Sequence, residues 1–90
     1  MDYRNRIINK ADLEAYLAGK DNLKVNRIFN KILSEMPLEL RKEALDKGLQ
    51  LKEIDRAMDL ITFVIDVPHA SEELKSMLAS VDPFVICDEL

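Results

Sequence analysis

Two glycines and three prolines divide this chain into short segments, and their positions constrain its fold more than any other feature. Gly19 and Gly48 can end helices in the left-handed conformation, while Pro37 and Pro68 interrupt any helix that reaches them. The segments between them are rich in Leu, Ile, Lys, Glu and Ala, a composition that favours helix. The chain of 90 residues is therefore predicted to form a single all-α domain, residues 1–90, as a compact bundle of about five short helices.

The first three helices are predicted from their caps and from apolar spacing. The first covers residues 9–18, where Asn9 and Asp12 have the spacing of a capping box. The second covers residues 21–36, with its first residue, an aspartate, as the cap and apolar residues recurring every three or four positions. The third covers residues 37–47, because proline is favourable at the first position of a helix.

The fourth helix, residues 49–65, is the most apolar segment and is predicted to be the central core helix. The run ITFVIDV within it is β-branched enough for a strand, but one strand would have no partner, so helix is preferred. Ser71 caps the fifth helix. Asp82-Pro83 marks a further helix start, after which the tail forms either a last helical turn or an extended arm.

One stretch matches a DNA-binding pattern at three positions. Ala44, Gly48 and Ile54 fit the small residue, the turn glycine and the later β-branched residue of a helix-turn-helix. Over about 20 residues the stretch resembles the helix-turn-helix proteins, which implies that residues 49–65 could read DNA. The charge there is unfavourable for DNA, since two basic residues accompany three acidic ones, so a packed corner between two core helices is the preferred interpretation.

Two charged faces are predicted to contribute to binding. Lys20, Lys24, Arg27 and Lys31 recur at helical spacing and would form a basic ridge for phosphate or for an acidic partner. The predicted fourth helix would carry an acidic ridge, made of Asp55, Asp59 and Asp66. The two ridges could pair within one molecule or between molecules, which would set orientation and partner choice more than affinity.

Both ends of the chain contain adjacent apolar residues. Phe84, Val85 and Ile86 cannot all face inward on one helix, so the segment either docks on its own domain or is offered to another molecule. Tyr3 and the pair of isoleucines at positions 7 and 8 pose the same question. Small helical proteins often complete their cores by dimerising, so a homodimer through these ends is one expectation.

The sequence offers little for catalysis, metal binding or membrane insertion. His69 is the only histidine and is expected in a turn, and Cys87 is expected to be a buried or interface thiol. The two separated glycines cannot form a phosphate-binding loop. The first ten residues lack the apolar segment of a signal peptide, and no apolar run is long enough to span a bilayer. We therefore expect a cytoplasmic protein that is not an enzyme and that carries no cofactor and no metal.

These observations predict a small helical protein-binding module, such as an adaptor, inhibitor, chaperone-like protein or assembly factor. Its partner is expected to be another protein, with a second copy of the chain as one option and no membrane involved. The alternative is a nucleic-acid-binding regulator that uses the basic ridge or the helix-turn-helix-like corner, although the net charge of −4 disfavours it. The residues predicted to bind a partner are Lys20, Lys24, Arg27, Lys31, Asp55, Asp59, Asp66, Phe84, Val85 and Ile86.

Overall fold

The computed structural model describes residues 6–88 of the chain, and these residues form four helices and four strands. The helices are α1 (Lys10–Leu17), α2 (Leu23–Ser34), α3 (Leu38–Lys47) and α4 (Glu72–Ser80). The strands are β1 (Ile7–Ile8), β2 (Gln50–Ala57), β3 (Leu60–Asp66) and β4 (Phe84–Cys87). Along the chain the order is one strand, three helices, a β-hairpin, a helix and a last strand.

The strands form one mixed sheet in the order β1-β4-β3-β2. β2 and β3 form an antiparallel hairpin, β4 adds antiparallel to β3, and the short β1 adds parallel to β4. The two ends of the described chain therefore meet, with Ile7 opposite Ile86 and Ile8 opposite Cys87. The register of β2 and β3 shifts between Glu53 and Asp55, which leaves Ile54 as an extra residue in β2.

The core lies between the helices and one face of the sheet. Alternate residues of β3 and β4 point into it, and every helix of the described residues contributes at least one buried side chain. This arrangement is a two-layer packing of helices on one side of a sheet. The largest fully buried side chains are Ile8, Ile32, Ile61, Ile65, Leu74, Val85 and Cys87.

The all-α prediction is wrong, because a four-stranded mixed sheet accompanies the helices. The fourth helix predicted at residues 49–65 is instead the hairpin of β2 and β3. The expectation that a strand here would lack a partner is wrong, because residues 84–87 and residues 7–8 complete the sheet. With those partners in place, the β-branched and aromatic residues of ITFVIDV take the conformation they favour.

The helix-turn-helix interpretation fails for the same reason. Ala44 is buried in α3 and Gly48 ends that helix with φ 86°, but Ile54 lies in a strand. The predicted corner between two helices is therefore a junction between a helix and a strand, and no recognition helix follows Gly48.

The predicted helices at residues 9–18, 21–36 and 37–47 and the one capped by Ser71 are present with small shifts at their ends. Asn9 and Asp12 form the expected capping box, and the Ser71 hydroxyl accepts a hydrogen bond from the Leu74 amide. One cap was misplaced: Asn22, not Asp21, accepts from the Val25 amide at the start of α2. The segment after Pro83 is a strand, which excludes the last helical turn.

Glu43 joins α3 to the start of α4. Its carboxylate accepts hydrogen bonds from the Ser71 amide and hydroxyl, both at 2.7 Å, and from the Lys47 ammonium at 2.9 Å. The Lys47 hydrogen bond, followed by those from Ser71, lowers the pKa of Glu43 from its ordinary 4.5 to about 2. Because Ser71 is the cap of α4, one carboxylate on α3 holds the beginning of the next helix in place.

Arg41 stabilises the end of α2. Its Nε donates to the Leu33 carbonyl at 2.9 Å, and its Nη2 donates to the Met36 carbonyl at 3.0 Å. The Leu33 carbonyl also accepts from the Met36 amide at 3.1 Å, so Arg41 adds a side-chain donor to the hydrogen bonds that close the end of α2. Within residues 6–88, no helix combines the length and the apolar character that crossing a bilayer requires.

Candidate binding surfaces

The sheet has a second face that points away from the core. Residues opposite each other in neighbouring strands lie on the same face, so Ile7, Ile86 and Thr62 form one row and Phe84 and Val64 form the next. Within residues 6–88, the apolar members Ile7, Val64 and Ile86 neither belong to the core nor pack against it. We call Ile7, Leu60, Thr62, Val64, Phe84 and Ile86 the open face.

The open face is apolar in a position where a solvated sheet usually carries polar residues. Phe84 remains 37% exposed and Leu60 39% exposed, while Ile7, Val64 and Ile86 are half-buried. Near Phe84 the surface continues into a pocket of about 310 Å³, whose wall from α4 includes Leu78 and Ala79. A continuous apolar surface of this kind is typical of a binding site.

The tip of the hairpin extends the apolar surface. Met58 is 97% exposed and has φ 55°, a left-handed conformation at a turn position where Asn or Gly is usual. Ile54, at the bulge, is 49% exposed. Neither side chain belongs to the core of residues 6–88 or packs against it, so within these residues their apolar character does not stabilise the fold.

Charged residues surround this apolar tip. Residues 50–66 carry Lys52 and Arg56 against Glu53, Asp55, Asp59 and Asp66, a formal balance of −2. Arg56 Nη2 donates to Glu53 Oε1 at 2.7 Å, and this hydrogen bond lowers the pKa of Glu53. The hairpin therefore presents an apolar surface in an acidic setting.

The acidic ridge predicted on a helix does not exist, because its members lie on different parts of the hairpin. Asp55 is in β2, Asp59 is in the turn and Asp66 is the last residue of β3. Asp55 stands opposite Thr62 and Asp66 opposite Gln50 on the open-face side of the sheet. They contribute to the negative charge around the open face, and they do not form a stripe that could pair with a basic helix.

The basic ridge is present in reduced form. Lys24, Arg27 and Lys31 follow one another along α2, whereas Lys20 lies before the helix begins and lines a different pocket beside Tyr16. The three α2 residues line a pocket of about 310 Å³ together with Arg6 and the buried Ile28. We call this the basic pocket.

Arg6 is a buried residue of the basic pocket. Its side chain is only 6% exposed, and its Nη2 donates to the Val81 carbonyl at 3.2 Å, at the end of α4. The other terminal nitrogen, Nη1, is buried without a hydrogen-bond partner in the described part of the chain. The fold thus places a buried guanidinium, from a residue distant in sequence, beside three cations of α2.

The apolar run near the C-terminus divides between the two faces of the sheet. Val85 is fully buried, while Phe84 and Ile86 lie on the open face. At the other end, Ile8 is buried, Ile7 is on the open face, and Tyr3 lies outside the described residues. Alternation along a strand explains how three adjacent apolar residues serve both the core and a surface.

Two expected placements are confirmed. His69 lies in the turn before α4 with φ 60°, and Cys87 is a free thiol that is completely buried in β4. Among residues 6–88, no group of three or more His, Cys, Asp or Glu side chains could hold a metal ion.

The open face and Arg6 are the features that sequence reasoning missed. The alternation of Ile61, Phe63, Ile65 and Val67 with less apolar residues was a signal for the buried face of β3. The contribution of Arg6 had no local signal, because only the folded chain brings residue 6 to α2.

Comparisons with protein-family models, with curated proteins and with solved structures found no match to this chain.

Proposed function

We propose that this chain is a cytoplasmic protein-binding module, without catalysis of its own, whose open face and hairpin bind a basic partner protein. The observation that carries the proposal is the apolar open face, whose residues Ile7, Val64 and Ile86 do not pack against the core of residues 6–88. The adaptor, inhibitor and assembly-factor roles expected from the sequence all use such a surface. The sequence predicted this surface on helices, whereas in the fold it lies on a sheet.

Met58 supports the proposal independently. A non-glycine residue with positive φ costs free energy, and a methionine that is 97% exposed gains almost no packing against residues 6–88 to offset that cost. Methionine is adaptable and is common at surfaces that bind partners. Its place at the tip, close to the exposed Leu60, suits insertion into an apolar depression of another protein.

Charge identifies the chemistry of the partner. The hairpin has a balance of −2, and residues 49–90 carry three Lys and Arg against nine Asp and Glu. A second copy of the chain would bring the same acidic surface to a symmetric contact, and like charges would oppose it. A partner with an apolar patch and a basic border satisfies both the open face and the charges around it.

The first prediction compares two exposed leucines. We expect a partner to be retained by wild type and by Leu45→Asp but lost by Leu60→Asp, when each protein is used as bait in a cell lysate. Leu45 is 61% exposed on α3, in the helical layer, so its replacement introduces the same charge away from the open face. With the retained partner purified, binding is measured by calorimetry, and we expect affinity to fall as salt increases.

Two results would contradict this proposal. One is a partner that all three baits retain equally. The other is a concentration-dependent dimer in light scattering that Leu60→Asp abolishes while no foreign protein binds, since the open face would then bind a second copy. The nucleic-acid alternative has lost its helix-turn-helix and now depends on the basic residues of α2 alone.

A further inference from the structure

We propose that the basic pocket is a binding site for a small phosphate-bearing anion. It lies between α2 and Arg6, which directly precedes β1, and it is lined by Arg6, Lys24, Arg27, Ile28 and Lys31. The site is separate from the open face and does not depend on the protein-binding function.

The first support is unbalanced charge. Four cationic side chains line one pocket in a chain whose net charge is −4. The ion pairs within 4 Å in the described part of the chain involve other cations, namely Lys10, Lys47, Arg56 and Lys75. The carboxylates of residues 6–88 therefore leave the pocket cations without a direct ion pair. Converging cations around a concavity raise the local concentration of anions.

The second support is the buried guanidinium. Arg6 is 6% exposed, and one of its terminal nitrogens has no hydrogen-bond partner in residues 6–88. Burying a charge is costly unless an opposite charge or hydrogen bonds compensate it. Arg6 lines the pocket, so an anion held there by the α2 residues would lie close enough to balance its charge.

The size and donor chemistry favour phosphate. A volume of about 310 Å³ is at the small end of ligand sites, which begin at about 300 Å³. A phosphate monoester carries about −1.5 to −2 charges near neutral pH, so it matches several cations better than one carboxylate does. The guanidinium forks of Arg6 and Arg27 suit the tetrahedral arrangement of phosphate oxygens.

A long nucleic acid fits the site less well. The α2 contribution spans only residues 24–31, and Ile28 is the one apolar residue among the described residues of the lining. Binding of a single strand typically combines an extended basic track with aromatic residues for stacking. Among residues 6–88 the pocket lining contains no aromatic side chain, and its cations surround one concavity.

The test is a titration of the full chain with inorganic pyrophosphate at constant ionic strength, followed by calorimetry and by amide NMR shifts. We expect saturable binding, with the largest shifts at Lys24, Ile28 and Lys31. In the Arg27→Gln/Lys31→Gln double variant the affinity should fall by roughly tenfold or more, because hydrogen bonds between charged groups are lost. Lys42→Gln on α3 removes an exposed cation that does not line the pocket and should bind like wild type.

Three results would overturn the proposal. The first is the absence of saturation at millimolar pyrophosphate. The second is an equal loss of affinity in Lys42→Gln and in the double variant, which would indicate general attraction to cations. The third is tight binding of an oligonucleotide that pyrophosphate does not displace, which would assign α2 to nucleic acid. Circular dichroism of each variant confirms that the fold is retained.

Discussion

Met58 has a backbone conformation that is unfavourable for methionine, and its side chain is almost fully exposed. A left-handed conformation costs a non-glycine residue about 1–2 kcal/mol. Glycine avoids this steric cost, but it loses about 0.5–1 kcal/mol more in backbone entropy on folding, so the net gain is smaller. We therefore expect Met58→Gly to raise the free energy of unfolding by about 0.5–1 kcal/mol. Met58→Ala keeps the strained backbone and should change little, since the side chain is 97% exposed.

Urea denaturation of the two Met58 variants provides the measurement. Equal stability of Met58→Gly and wild type would show that the turn is not strained. If partner binding weakens in both variants while stability holds or rises, the side chain is retained for binding. Weaker binding together with unchanged or higher stability would separate the effect of Met58 on the fold from its effect on binding.

Leu60 and Ile61 are adjacent but lie on opposite faces of β3. Ile61 is 1% exposed in the core, so Ile61→Asp buries a charge and should destabilise by more than about 4 kcal/mol, enough to unfold a small domain. Leu60 is 39% exposed, and Leu60→Asp should stay within about 1 kcal/mol of wild type. Thermal unfolding by circular dichroism measures both, and the reverse order would mean that the faces of β3 are exchanged.

At the scale of elements, the contact between Glu43 and Ser71 should make stability depend on pH. The pKa of Glu43 is about 2 in the folded chain against an ordinary 4.5. The stabilisation is therefore complete above about pH 4.5 and is lost as the pH falls toward 2, where the folded carboxylate is protonated. Glu43→Gln should be less stable than wild type at pH 7 and should lose less stability between these two pH values.

Glu39→Gln is the matched control, because Glu39 is an exposed glutamate in the first turn of the same helix. Its stability profile from pH 7 to pH 2 should follow that of wild type. Parallel profiles for wild type and Glu43→Gln would show that the carboxylate does not anchor α4.

The elements divide into those that local sequence determines and those that depend on distant partners. Asn9, Asp12 and Ser71 make the helix caps that their spacing predicts, because a cap involves residues three positions apart. The hairpin lacked such a signal, since its turn is Met58-Asp59 and not Asn-Gly or Asp-Gly. The apolar residues of β2, namely Leu51, Ile54 and Ala57, also recur every three positions, a spacing that resembles a helix.

In the whole molecule, the features of the candidate sites that depend on local sequence could be predicted, and those that depend on distant parts of the chain could not. The spacing of Lys24, Arg27 and Lys31 correctly placed three cations on one helix. The addition of Arg6 and the division of residues 84–86 between two faces follow from sheet pairing between the two ends of the chain. Contacts of such long sequence separation leave no periodic pattern in the sequence, so they become visible only in the fold.

The complete burial of Cys87 gives the molecule a built-in reporter. It is the only thiol in the chain, and its strand is flanked by β1 on one side and β3 on the other. A maleimide can reach the sulfur only when this part of the sheet opens. The rate of alkylation therefore reports how often the native protein opens there. A partner that closes over the open face would slow that rate, and the slowing could be followed by mass spectrometry without any engineered label.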